Sequence, residues 1–497
     1  MECAPLEKHL DHDPGKLKMR LLVPLSLACC MSACTLTPKL ENPALPVPAH
    51  FPIQKSFVMK SDAQLPVQLP GWRDMFGDPR LQRLIDLAQQ NNRDLRLATL
   101  NVEAAQAMSR IQMAGRLPSV SADANSARER AISSSSTGSA NREVIQQVGV
   151  SVGVSAFELD LFGRVRALSD ASLARYFASE NGREAAQIIL VGAVADTYFA
   201  QQLAHEQYQL AEQTLADWRV SLTLARLKKT SMQNSDLDIA QAENQVALAE
   251  ADLQARERTL AKASNALQLV VGSELPTDLP EALPLERQPL IARLPAGLPA
   301  QVLLARPDVR QAEQQLVASN ADIGAARAAF FPQISLTASF GYASSSFGDL
   351  FDPSQQVWKF VPQITQPLFQ AGRLRAELRL AKIRKSEAIA QYERAIQIAF
   401  REVADALAGT ATFDRQIEAQ LRAVKTAERR LELSDLRYQA GLDGRLELLD
   451  SQRQLYAARQ ALLELRRDDM VNTVALYKSL GGGLQHRSGN VVSVSKG

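Results

Sequence analysis

Side chains able to do covalent or metal chemistry are few in this sequence. The five histidines, His9, His12, His50, His205 and His486, show no spacing by which imidazoles share a metal, so no metal site is expected. The run Gly481-Gly482-Gly483 is not a phosphate loop, because no strand leads into it and no Lys-Ser/Thr follows. Asp196 and Asp405 sit in helical sequence, where acids serve packing and electrostatics more often than catalysis. No catalytic constellation emerges, and the reading is that the chain is not an enzyme. One thiol stands apart. All four cysteines, Cys3, Cys29, Cys30 and Cys34, lie at the N-terminus. Lys16, Lys18 and Arg20 precede an apolar run from Leu21 to Cys30, and Met31-Ser32-Ala33 places small residues before Cys34. That pattern resembles a bacterial lipobox, and the resemblance implies that Cys34 becomes the lipidated first residue. Apart from this covalent lipid no cofactor is expected. Residues 1–33 read as a signal peptide, with Met19 as an alternative start because the acidic stretch before Lys16 is atypical of signals. The competing reading is a plain secretory signal with an incidental cysteine. Thr35 after Cys34, where inner-membrane lipoproteins carry Asp, favours the outer membrane.

The rest of the chain constrains what such an anchor holds. Of 497 residues, 22% are charged and 5% aromatic, and long stretches are built from the helix formers Ala, Leu, Gln, Glu and Arg. A net charge of +2 gives no nucleic-acid footprint. No run of 18 apolar residues exists to form an ordinary membrane helix. A chain like this can span a bilayer only as a closed β-barrel.

The sequence is written twice. Asp94 and Asp308 lie 214 residues apart, as do Arg96 and Arg310, Ala104 and Ala318, and Pro118 and Pro332. Further on, the offset is 209: Gly163-Arg164 matches Gly372-Arg373, Ala195-Asp196 matches Ala404-Asp405, Leu237 matches Leu446, and Gly272 matches Gly481. Glycines and prolines in step over such a distance mark a duplication. The first repeat is placed at 76–275 and the second at 301–483. A Pro-rich connector occupies 276–300, an N-terminal extension 34–75 and a tail 484–497.

Each copy has one internal order. A helix stops at Pro118 or Pro332. Strand character follows. Val148, Val150, Val152 and Val154 alternate with Gly and Ser, and Ile334, Leu336, Ala338, Phe340 and Tyr342 do the same in the second copy. Strands are expected at about 119–127 and 145–160, and at about 333–343 and 355–369. Ser- and Gly-rich loops at 132–141 and 344–353 separate them. Strands of about 9–11 residues match a tilted bilayer crossing. Long helices come next; one from Gly163 to about Thr230 would extend roughly 100 Å. The fold class is therefore mainly α with a β-barrel portion, a duplicated helix–hairpin–long-helix unit.

Each long helix must reverse at a tip, near 228–238 and near 437–450. Gly441 and Gly444 supply a permissive backbone for the second turn, and Asp443 is placed to accept from the free N–H groups of the next helix. At the same places the first copy has Met232 and Ser235. Beyond the second turn, Leu446 and Asp450 share a helix face, with Glu447 beside them.

Two hairpins give only four strands, and the smallest membrane barrels need about eight. An open sheet in lipid leaves both edges with unpaired backbone groups. Two or three chains must therefore close one barrel, and the strand count does not choose between them.

Several short motifs stand in a telling order. After Thr35-Leu36-Thr37-Pro38 comes Gly71-Trp72-Arg73-Asp74-Met75-Phe76-Gly77-Asp78-Pro79-Arg80-Leu81, then Arg306-Pro307-Asp308, then Ala328-Ala329-Phe330-Phe331-Pro332, then Gln366-Pro367-Leu368-Phe369-Gln370-Ala371-Gly372-Arg373. Over nearly the whole mature chain this resembles the TolC-like outer-membrane factors, in the lipoprotein (OprM/NodT-like) branch that serves resistance–nodulation–division (RND) efflux pumps. The resemblance implies a homotrimer in the outer membrane, a twelve-stranded barrel above a periplasmic α-helical barrel. It would form the passive exit duct for small molecules and drugs, working with a periplasmic adaptor and an inner-membrane RND-type pump. It also implies adaptor contacts at both tips, through Lys228, Ser231, Met232, Ser235, Asp238, Gly441, Asp443, Gly444 and Arg445. A closed periplasmic mouth formed by Leu446, Glu447 and Asp450 is the remaining implication. Two other readings are a type I protein-secretion duct and a lipid-anchored periplasmic adaptor or coiled-coil scaffold. The lipobox and Pro-rich lead favour the drug-pump branch over the first. Two matched hairpins are superfluous in the second.

Overall fold

The two sequence offsets reappear as matched elements in the computed structural model, which describes residues 35–41, 43–51, 71–134, 140–230, 235–289 and 299–482. Cys34, Ser231 and Met232 lie outside the described residues. The N-terminal portion holds α1 (Trp72–Met75) and α2 (Pro79–Asn91). The first copy continues with α3 (Arg93–Ala114), β1 (Val120–Ser134), β2 (Ala140–Leu159), α4 (Arg164–Thr230) and α5 (Asp236–Val271). The second has α6 (Pro307–Ala328), β3 (Gln333–Ser344), β4 (Gln356–Thr365), α7 (Arg373–Gln439) and α8 (Arg445–Ser479). Both α3 and α6 have 22 residues, and both α4 and α7 have 67. Their starts are separated by the 214 and 209 residues read from the sequence. Among the described residues no helix is long and apolar enough to cross a membrane.

The chain divides into two compact units. One comprises residues 35–41, 104–134, 140–176 and 314–389 and contains the sheet. Its four strands are antiparallel in the order β1-β2-β3-β4, so β2 and β3 join the hairpins and β1 and β4 are the edges. The first hairpin is longer than the sequence pattern suggests. Pairing runs out to Ser134↔Ala140, through residues read as a loop. Ladder bonds use backbone groups, so a Ser-rich stretch without an apolar face can still pair. In the second hairpin β4 ends at Thr365 and not near 369, because Pro367 has no N–H to donate. A bulge between Val154 and Phe157 puts Ala156 at φ 49°, and its N–H turns to the Thr337 hydroxyl, 3.1 Å away. Each hairpin passes into its long helix through a glycine with positive φ, Gly163 at 75° and Gly372 at 87°. The N-terminal segment is tied to α6 in this unit: Asn320 Nδ2 donates to the Pro38 carbonyl at 2.8 Å, and Arg327 to that of Leu36 at 3.2 Å.

The other unit, within residues 43–103, 177–313 and 390–482, is helical, and its described residues form four apolar cores, of which two are large. Phe76, Leu81, Leu84 and Ile85 from the α1–α2 region pack on Val191, Val194, Tyr198 and Phe199 of α4, Leu267 of α5 and Tyr477 of α8. This accounts for the Trp-Phe-Asp-Pro motif. Pro79 opens α2, where a missing N–H costs nothing. Asp78 caps it, accepting from the Arg80 N–H at 2.8 Å, and also takes the Tyr198 hydroxyl at 2.6 Å and Gln288 Nε2 at 3.1 Å. Burial, with Asp78 beside it, holds the Tyr198 phenol well above its ordinary pKa. In the second core Phe51 stacks on Phe400 at 4.7 Å, over Leu303, Ile396, Ala399 and Val403.

The Arg-Pro-Asp motif has an equally local cause. Arg306 is buried, held by Asp308 at 2.7 Å and Glu402 at 2.8 Å, and donates to the Ser479 carbonyl at the end of α8 at 2.7 Å. Asn92 does the same task in the first copy, donating to the Val270 carbonyl at the end of α5 at 2.8 Å. The duplication thus kept the job of satisfying a helix's last carbonyls and changed the residue that does it. Replacing Tyr198 by Phe removes one of three donors to a buried carboxylate. It should lower unfolding free energy by about 1.5–3 kcal/mol, read from denaturant unfolding of the detergent-solubilised protein by circular dichroism.

Candidate functional site

The two helix reversals, both in the helical unit, carry nearly every residue that the sequence singles out, and they are built differently. In the first, Ser235 caps α5 and Asp238 returns the bond to the Ser235 N–H at 2.9 Å, a complete capping box. In the second, α7 ends in a left-handed residue, Gly441 at φ 73°, and the Leu442 N–H reaches back to the Arg437 carbonyl at 2.9 Å. Gly444, the other expected turn glycine, is extended (φ −75°, ψ 161°) and caps α8 without a side-chain bond. Any residue adopts that conformation. Asp443 does not cap α8 as expected. It stands one residue too early, and Arg437 grips both its oxygens at 2.5 and 2.8 Å; a two-pronged charged pair outcompetes one N–H. That guanidinium holds the Asp443 carboxyl below the usual carboxylate range.

The tips touch one another. The Lys228 ammonium lies 4.2 Å from the centroid of the Tyr438 ring. Arg445 Nη2 donates to the Ser221 hydroxyl of α4 at 3.1 Å. Arg445 is only 3% exposed, so the expectation that it meets a partner protein is corrected. Its first task is to join α8 to α4.

Leu446, in contrast, is 66% exposed. Behind it the two carboxylates of the expected mouth are not free. Arg430 of α7 binds Glu447 at 2.7 Å and Asp450 at 3.0 Å. Asp450 is also met by Arg453 at 3.4 Å and by Gln454 Nε2 at 2.9 Å. Sequence reasoning missed Arg430, yet a signal was there. In an antiparallel helix pair, residues equally far from the turn face each other. Arg437 and Asp443 lie three residues either side of Ala440, and Arg430 and Asp450 lie ten. Asp196 and Asp405, matched in sequence, part company in structure. Asp196 is half-buried against Lys478 at 3.0 Å, with burial pushing its carboxyl up, while Asp405 is exposed near Arg401. Among the described residues, no group of three His, Cys, Asp or Glu side chains is placed to hold a metal.

A family model described as outer membrane efflux protein matches residues 84–273 and 298–482, one segment for each copy. The chain belongs to this family. It is 43% identical to the solvent efflux pump outer membrane protein SrpC of Pseudomonas putida, over 93% of this chain and 98% of that one. To the cation efflux system protein CusC of Escherichia coli K12 it is 40% identical over 93% and 99%. Among solved structures, a CusC channel superposes with a TM-score of 0.82 at 38% identity, over 90% of this chain and all of that one. The open outer-membrane channel MtrE of Neisseria gonorrhoeae gives 0.81 at 39%, over 91% and 99%. The protein is an outer-membrane efflux channel. Gly441→Ala should cost about 1–2 kcal/mol through the left-handed backbone. Gly444→Ala, with open space around its Cβ, should change stability by less than about 1 kcal/mol, because the entropy removed from the unfolded chain is opposed by a poorer helix N-cap. Thermal unfolding of the two variants separates these outcomes.

Proposed function

We propose that three copies of this chain form the exit duct of a tripartite pump. In this reading Cys34 carries the lipid anchor, the two tips meet a periplasmic adaptor, and small molecules delivered by an inner-membrane RND-type pump leave through the barrel. The supporting observation is the four-stranded sheet with β1 and β4 as open edges. On β4, Trp358, Phe360 and Ile364 are 76%, 59% and 69% exposed, apolar surface that suits lipid and not water. Three copies bring twelve strands, enough to close a membrane barrel. Closure by two is the smallest alternative, and the resemblance to trimeric TolC-like channels favours three.

The mouth residues follow from the same symmetry. Three copies of exposed Leu446 make an apolar collar that resists hydration, and Glu447 and Asp450 stand just behind it. Lys228, Ser235, Asp238, Gly441, Asp443 and Gly444 remain as the described tip positions for the adaptor. The cargo class is carried by the pump and not by the duct.

Two experiments bear on this reading. Leu446→Ala combined with Asp450→Ala should raise single-channel conductance of the purified protein in a planar bilayer. Unchanged conductance removes both from the gate. The Cys34→Ala protein should stay in the outer-membrane fraction, held by the barrel. Its release on salt washing would show that the lipid alone holds it.

A further inference from the structure

The offset of 209 allows the second tip to be compared with its own ancestral twin. Arg430, Glu447 and Asp450 correspond to Ser221, Asp238 and Gln241 of the first copy. There Asp238 is used in the Ser235 capping box, and Ser221 has no carboxylate to hold. The long helices α4 and α7 nevertheless have identical length, and the hairpin they enter forms in both copies. The first hairpin carries its arginine–carboxylate pairs at other positions, Arg226 with Glu243 and Arg219 with Glu250, both at 2.7 Å, so a cluster at this particular place is not what makes the hairpin. Nor is it built for strength. The side chains of Arg430, Glu447 and Asp450 are 36%, 47% and 36% exposed, and exposed ion pairs add little to stability. The cluster contains a consistent charge balance instead: two carboxylates, Glu447 and Asp450, against two guanidinium groups, Arg430 and Arg453.

We infer that Arg430 is a positioning and charge-compensating residue of the mouth: it ties Glu447 and Asp450 back onto α7 and cancels the acidic field that a ring of them would project. This rests on the mouth reading given above. Leu446 lines the same open cleft as Arg430 and Glu447, so the group that sets the field stands beside the collar that sets the width. With Arg430 in place the closed mouth presents an apolar ring with little net charge. Without it, each subunit adds unpaired negative charge at the constriction, which draws cations in and turns anions away.

The test is the reversal potential of the purified, assembled channel in a planar bilayer under a potassium chloride gradient. Arg430→Gln should raise the cation-to-anion permeability ratio at least about twofold over the parent. Adding Glu447→Gln alone to it, which removes one carboxylate for the one guanidinium lost and leaves Asp450 with Arg453, should return the ratio to the parent value, while the thermal stability of all variants stays close to the parent's. Arg430→Met, which keeps the aliphatic stem, serves if Arg430→Gln does not assemble. A parental ratio in the Arg430 variant, alongside a changed ratio in Glu447→Gln/Asp450→Asn alone, overturns the role of Arg430 and leaves the mouth reading intact. No change in either variant removes the mouth reading and this inference with it.

Discussion

Backbone hydrogen bonding at the two sheet edges is the constraint on which the rest of the molecule depends. Among the described residues each chain builds a sheet of four antiparallel strands, leaving β1 and β4 with a row of donors and acceptors. In water such an edge is tolerable, since solvent takes the free groups. In hydrocarbon each unpaired group costs several kcal/mol, so an edge must find a strand. Only another copy of the chain offers matching strands, and a ring of copies ends with no edge. The duplication belongs to the same logic, because it doubles the strands each chain brings.

A long helix follows each hairpin in the chain. Matching 67-residue helices α4 and α7 exceed what a globular core needs, and their stability must come from packing along their length. The helical unit supplies it through four apolar cores among the described residues and through polar tethers at helix ends, Asn92 in one copy and Arg306 in the other. Evolution has kept the geometry of the two copies and let the chemistry diverge. The tips show this most clearly: a Ser235–Asp238 capping box closes one, and a left-handed Gly441 with an Arg437–Asp443 pair closes the other.

Much of the architecture is legible in the residues alone. Glycines and prolines recurring at two fixed offsets announce the repeat, and valine alternation announces the strands. Side-chain partnering across the hairpin is not legible in the same way. Asp443 looks like a cap because the start of the next helix is its nearest visible partner in the chain. Linear order does not weigh a guanidinium six positions earlier against a backbone N–H. Arg445 looks like a surface contact because a charged residue beside a turn is usually solvated. Its burial depends on α4, more than 200 residues away. Strand ends are misjudged for a related reason: ladders end where backbone pairing fails, as at Pro367, and not where the apolar pattern fades, as after Ala127.

Hydrogen exchange of the backbone amides in β1 and β4, with the intact protein held in detergent or nanodiscs, tests the edge argument most directly. If other copies complete the wall, the outward-facing N–H groups of both edge strands will exchange as slowly as those of β2 and β3. Fast exchange along β1 and β4, beside protected β2 and β3, would show the edges open and would contradict the account.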